Sequence, residues 1–257
     1  MSDDKNKIVT GLGKAELHRV LVRNIDLTQD ILGKLSFGQM TFLMLVGRIP
    51  SEDEGRMTDA MLNVLVERGM VGNIIAARFT VSTAPEAIQG AVAAALLGAG
   101  SVHLGSSEYC AKMLQDALPL GSDGADLATT AQGVVEDHAI RRQRIAGIGH
   151  ATHSEGDPRA DRLYEIAAET GVRGRYCELL EEIKKAAEAR HNRGLPINVT
   201  GAIAAIASDM GLQWQMAKAF ALIGRTLGAM AHIGEELRNP MHRRISNLIR
   251  SNLSYEP

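Results

Sequence analysis

Gly147-Ile148-Gly149-His150 is followed, after a short gap, by Asp157-Pro158-Arg159. Glycine has no Cβ, so a backbone built from it approaches a ligand closely. Histidine titrates near neutral pH and moves a proton. Arginine grips a carboxylate through two parallel hydrogen bonds. The spacing therefore points to acid–base chemistry on an anionic substrate, with a second ligand lying along the turn. Arg225 sits among small apolar residues, where a lone charge is costly and a bound anion would explain it. Arg159 opens a helix, where a cation is slightly unfavourable unless it meets a ligand.

The elements that must position these residues read as helices. Ser36-Phe-Gly-Gln39, Ser51-Glu-Asp-Glu54 and Thr83-Ala-Pro-Glu86 fit the capping-box pattern, and Asp157-Pro158 is a cap followed by proline. Periodicity predicts helices near 13–22, 36–47, 51–69, 71–82, 84–98, 106–116, 122–143, 158–170, 175–192, 199–210 and 213–237. Alternating runs bounded by hairpin signals are not found, so the predicted fold class is all-α. Two helices carry stripes of small residues: Ala87, Gly90, Ala91, Ala94, Ala95 and Gly98, and Ala217, Ala221, Gly224, Gly228, Ala231 and Gly234. Each set lies on one face. Such faces pack within a subunit or between two copies of the chain.

The 257 residues make one large domain or two modest ones. Lys+Arg is 28 against 30 Asp+Glu, so no global positive field favours nucleic acid or an anionic membrane. Two cysteines, Cys110 and Cys177, are too few for a disulfide framework and fit a reduced cytoplasm. The first residues contain no apolar run, so no signal peptide is expected, and no stretch is long enough to span a membrane. No His-Glu-x-x-His or Cys-x-x-Cys spacing suggests a metal. His138, His153, His191 and His242 read as solvated, and His232 as a satisfied core histidine.

The motifs resemble the citrate synthase superfamily, specifically its short citryl-CoA lyase-like branch. Gly147-Ile-Gly-His150…Asp157-Pro-Arg159 resembles the signature Gly-x-Gly-His…Asp-Pro-Arg. Gly100-Ser-Val-His103-Leu-Gly-Ser-Ser-Glu108 resembles Gly-x-x-His-Gly-Gly-x-Asn-Glu, Leu195-Pro-Ile-Asn198-Val-Thr200 resembles Pro-Asn-Val-Asp, and Gly224-Arg225-Thr-Leu-Gly228 resembles the family's arginine helix. All four occur in order, and the similarity runs from about residue 20 to residue 245. The resemblance implies a large helical domain built from 1–104 and 206–257, with a smaller helical domain, 105–205, inserted between them. It implies a homodimer or higher oligomer with the site in the interdomain cleft, where acyl-CoA meets a small dicarboxylate. By resemblance, His103 is the donor on the enolate side and His150 the acid–base partner of the hydroxyl or ketone oxygen. Arg159 and Arg225 clamp carboxylates, and Arg238 matches an arginine supplied by the neighbouring subunit. The turn Arg144 to Gly149, with Gly147 and Ile148, offers backbone groups to CoA. No tightly bound cofactor is expected; coenzyme A enters as part of the substrate.

Two departures bear on direction. The family's catalytic aspartate is Thr200 here, which also reads as a helix N-cap. The usual Asp/Glu-His-Gly is Glu67-Arg68-Gly69, so Arg68 becomes a candidate contact to substrate or CoA. Smaller changes are Leu104 for a glycine and Ser107 for an asparagine. Without the aspartate, cleavage of citryl-CoA, or of a related 3-hydroxy-3-carboxyacyl-CoA, is favoured over synthesis. The alternatives are a citrate synthase-like acyltransferase in the condensing direction and a non-catalytic CoA-binding homologue.

Overall fold

The computed structural model describes residues 7–100, 104, 106–122, 124–150, 153 and 155–256. It is helical, apart from one short sheet. The helices are α1 (Phe37–Val46), α2 (Glu52–Asn63), α3 (Gly72–Thr83), α4 (Ile88–Leu97), α5 (Ser106–Ala117), α6 (Leu127–Ile140), α7 (Pro158–Glu169), α8 (Arg175–His191), α9 (Val199–Asp209), α10 (Ala217–Arg238) and α11 (His242–Asn252).

The helix expected at 13–22 is instead an antiparallel meander, β1 (Gly13–Ala15), β2 (Val20–Val22) and β3 (Ile25–Asp26). The cause is the two-residue turn between Val22 and Ile25. Arg23 and Asn24 both take positive φ, 51° and 65°, as a tight hairpin requires. The Arg23 guanidinium then donates to the Met44 carbonyl at 2.8 Å and ties the hairpin to α1.

Capping boxes form at Ser36 and Ser51. The third expected box does not: Thr83 is the last residue of α3, and α4 begins at Ile88 with no side-chain cap. Helix α2 ends at Asn63, earlier than expected, which frees the turn bearing Arg68.

One hydrophobic cluster joins α1 and α2 to α5–α9 and the start of α10. A second joins α3, α4 and α10. Members of both small-residue stripes pack within the chain, while Ala231 is exposed. Ala91 and Ala95 are buried in the second cluster. On α10, a β-carbon at Gly224 would lie 2.9 Å from the Leu62 carbonyl oxygen, and one at Gly228 would collide with the Val66 carbonyl. These glycines let α10 run against the end of α2. Among the described residues no helix is long and apolar enough to cross a membrane, and no group of three or more His, Cys, Asp or Glu is placed to hold a metal ion.

Candidate active site

Three chain breaks in helical structure meet at one cavity. The turn after α2 brings Arg68, the start of α7 brings Arg159, and the start of α9 brings Asn198 and Thr200. Leu65, Leu104, Ser106, His150, Val199, Ala221 and Arg225 complete the lining of a space of about 170 Å³. Arg68, His150, Arg159 and Arg225 are thus brought together from four separate parts of the sequence. His103 falls outside the described residues. Arg238 is exposed on the last turn of α10 and does not line this cavity.

Asp157 organises the site. Its carboxylate is fully buried and caps α7 by accepting from the Arg159 amide at 3.1 Å. It also accepts from the Arg159 guanidinium at 2.9 Å through Nε and again through Nη2, and from the Val199 amide at 2.9 Å. Burial alone would raise this carboxyl, but Arg159 and the amides hold it below its usual range. One carboxylate therefore fixes Arg159 and locks the first turns of α7 and α9 together. It also occupies two of the guanidinium's donors, so only the remaining edge of Arg159 is left to the cavity. No pattern beyond the Asp-Pro cap pointed to this second role.

His150 is half-buried. Its Nδ1 accepts from the His153 amide at 3.0 Å. Nε2 lies 3.5 Å from Arg159 Nη2, at the edge of the cavity. Burial lowers its pKa below the ordinary histidine value; Asp157 opposes this, while His153, Arg159 and Arg68 add to it. A ring held below the ordinary histidine value is neutral at neutral pH. Arg225 also has its pKa lowered, by burial first and then by Arg68, with Glu67 opposing and Arg159 adding. Arginine stays charged regardless. Mutually unfavourable cations in a small space are resolved by an anion between them.

The expectation that Thr200 caps α9 is corrected: the cap is Asn198, whose side chain accepts from the Gly201 amide. Thr200 sits in the first turn and donates to Asn198 Oδ1 at 2.7 Å, while Ser106 donates to Thr200 at 3.0 Å. The hydroxyl proton of Thr200 is committed to an amide oxygen that cannot take it up. The row Ser106–Thr200–Asn198 is neutral, and sequence reasoning singled out only its middle member.

The glycine turn leads into His150 and lines a second cavity. Gly147 has φ 88° and Gly149 φ 77°. A β-carbon at Gly147 would collide with the Cys110 sulfur. Ile148 pairs with Ile197 in an isolated antiparallel bridge; Gly149 donates to the Pro196 carbonyl at 2.7 Å and Asn198 to the Gly147 carbonyl at 3.0 Å. This pairing consumes backbone groups of Gly147 and Gly149 and leaves those of Ile148 on the opposite edge of the ladder. On the far side of His150 lies a cavity of about 720 Å³, whose lining includes Ile148, Gly149, Arg142, Arg144, Arg190, Arg193, Val135, Ile145 and Leu195. Arg142, Arg190 and Arg193 were not singled out by sequence, although the basic run Arg190-His191-Asn192-Arg193 was visible at the end of α8. His138 and His191, read as solvated, lie on this lining, and His242, also read as solvated, contacts Glu236 through Nδ1 at 3.1 Å.

Residues 14–251 match the family model described as citrate synthase, C-terminal domain. The chain belongs to the citrate synthase family. It is 28% identical over 221 residues to a citrate synthase of Heyndrickxia coagulans, an alignment covering 81% of this chain and 54% of the other. The chain thus spans about half the length of the curated relatives it matches. Among solved structures it is similar to citryl-CoA lyase from Hydrogenobacter thermophilus, with TM-score 0.86, 31% identity, and coverage of 97% of this chain and 94% of the other. The same fold recurs in ATP citrate lyase from Methanothrix soehngenii, at 17% identity and TM-score 0.76, over 99% of this chain and 42% of that one. The citrate synthase-like fold expected from the motifs is therefore the fold observed.

Proposed function

We propose that the protein cleaves citryl-CoA, or a related 3-hydroxy-3-carboxyacyl-CoA, to acetyl-CoA and oxaloacetate. The observation that carries this reading is the placement of His150 between a small cavity holding Arg68, Arg159 and Arg225 and a large cavity lined by four further arginines. The small cavity takes the carboxylates. The large one takes the phosphates and pantetheine arm of CoA. The solved structure of a citryl-CoA lyase of nearly the same length supports the reading.

Cleavage breaks one carbon–carbon bond. The hydroxyl loses a proton and becomes the ketone, and the enolate carbon gains one, so the step is redox-neutral and needs no co-reactant. Nε2 of His150, at the cavity edge, faces the oxygen that changes from hydroxyl to ketone and hydrogen-bonds to it. Taking the hydroxyl proton requires Nε2 to be the unprotonated nitrogen, which puts the ring proton on Nδ1 and releases the His153 amide. His103 is the donor to the enolate. The neutral Thr200 offers no carboxylate to deprotonate an acetyl methyl group, which weighs against condensation. Protonation of the enolate then comes from solvent, since the Thr200 proton is held by Asn198. Domain closure over residues 105–205, a homodimer that brings Arg238 to the partner's cavity, coenzyme A as part of the substrate, and a cytoplasmic setting complete the proposal.

Oxaloacetate release from citryl-CoA is the test. His150→Ala is expected to lower kcat by about 10²–10⁴-fold. Thr200→Asp is expected to gain condensing activity, and a wild type that already makes citrate as fast as this variant would defeat the directional argument.

A further inference from the structure

Arg68 replaces a histidine of the family pattern, and a long arginine on a turn needs something to aim it. The turn has such a device. Glu67 accepts from the Gly69 amide, folding its carboxylate over the turn, and its other oxygen accepts from His232 Nε2 at 3.0 Å. His232 lies on α10, two turns from Arg225, with a side chain only 12% exposed.

The ring's tautomer is set from behind. Arg78 on α3, with a side chain 3% exposed, faces His232 Nδ1 at 2.8 Å through Nη2. A guanidinium only donates, so Nδ1 accepts and Nε2 carries the proton that Glu67 receives. Arg78 is itself held by Glu235 and by the buried Glu236, whose carboxylate also accepts from the Met241 and His242 amides at the start of α11. Gly228 lets α10 lie directly on the Val66 carbonyl, which brings His232 within reach of the turn.

We infer that His232 is a positioning residue for the substrate: through Glu67 it fixes the turn that carries Arg68 into the carboxylate cavity. This rests on reading that cavity as the carboxylate site. His232 itself touches no ligand. Its contribution passes through Arg68, so the two residues are energetically coupled, and the network from α11 through Glu236, Arg78, His232 and Glu67 to Arg68 links the last helix to the site.

The test is a double-mutant cycle on the full chain, read by calorimetric binding of oxaloacetate and by steady-state kinetics with citryl-CoA. His232→Ala and Arg68→Ala are each expected to weaken oxaloacetate binding about tenfold, and the double variant no more than Arg68→Ala alone. KM for citryl-CoA should rise while kcat changes little. His232→Gln, whose amide can accept from Arg78 and donate to Glu67, should restore binding. Should His232→Ala fail to fold, Glu67→Ala, at a half-exposed side chain, runs the same cycle. Equal losses from His232→Ala with and without Arg68 overturn the inference, as does an unchanged affinity accompanied only by a lower Tm. A wild type that binds no oxaloacetate removes the carboxylate reading and the inference with it. A wild type that binds oxaloacetate with the expected coupling but does not cleave citryl-CoA defeats the lyase reading alone.

Discussion

His150 is the residue whose environment makes the sharpest quantitative claim. Burial, Arg68, Arg159 and His153 all lower its pKa, and only Asp157 opposes them. The acid limb of kcat/KM reports the free enzyme's titrating group. That limb is expected below the ordinary histidine value of about 6.5, so activity holds as pH falls through that value and drops only lower. Arg68→Gln removes a charge that lowers the pKa, so its limb is expected at higher pH than in the wild type. A limb that stays put or moves down would show that another group controls it. The sequence made His150 and Arg159 legible because glycines and a proline flank them. It did not reveal that Asp157 occupies two of Arg159's donors, because that bond depends on the geometry of the α7 cap. Nor did it reveal Ser106 and Asn198 on either side of Thr200, which are brought together only by packing of α5 on α9.

Glycine positions separate the elements that build the site from those that merely contain it. Gly147 combines φ 88° with a position where any β-carbon would collide with the Cys110 sulfur. Gly147→Ala should cost at least about 2 kcal/mol, from backbone strain and overpacking together. Gly228→Ala forces α10 away from the turn after α2 and should cost about 1–3 kcal/mol. Gly133, on the exposed face of α6 with nothing within 4 Å of a β-carbon, should respond with the opposite sign: Gly133→Ala should stabilise by about 0.5–1 kcal/mol. Thermal unfolding of the three variants checks this order, and equal shifts would mean that the close approaches do not bear on stability. Most helices were legible because their caps and periodicity are local. The hairpin at 13–26 was not, since its signal is two non-glycine residues at positive φ rather than an Asn-Gly turn. Helix α11 was missed as well; its charged start, His242-Arg-Arg, and its single apolar face gave no start signal of the kind found elsewhere.

At the scale of the whole molecule, α10 has two faces with different duties. Gly224 and Gly228 face α2 within the chain. Leu227, Met230 and Leu237, on the side of α10 away from α2, are exposed at 59%, 51% and 45%. That apolar face is what the proposed homodimer would cover, and Arg238 follows it directly. Leu227→Asp with Met230→Asp should therefore shift sedimentation from a dimer to a monomer and lower activity with it. The sharper test asks whether Arg238 serves the partner's site. Chains carrying His150→Ala and chains carrying Arg238→Ala, each inactive alone, are mixed, unfolded and refolded together. In a mixed dimer with Arg238 acting across the interface, the site with an intact His150 receives an intact Arg238 from the partner. Random reassociation makes half the dimers mixed with one working site each, so activity should return to about a quarter of the wild type. If Arg238 acts within its own chain, every site in every dimer carries a lesion, and no activity returns.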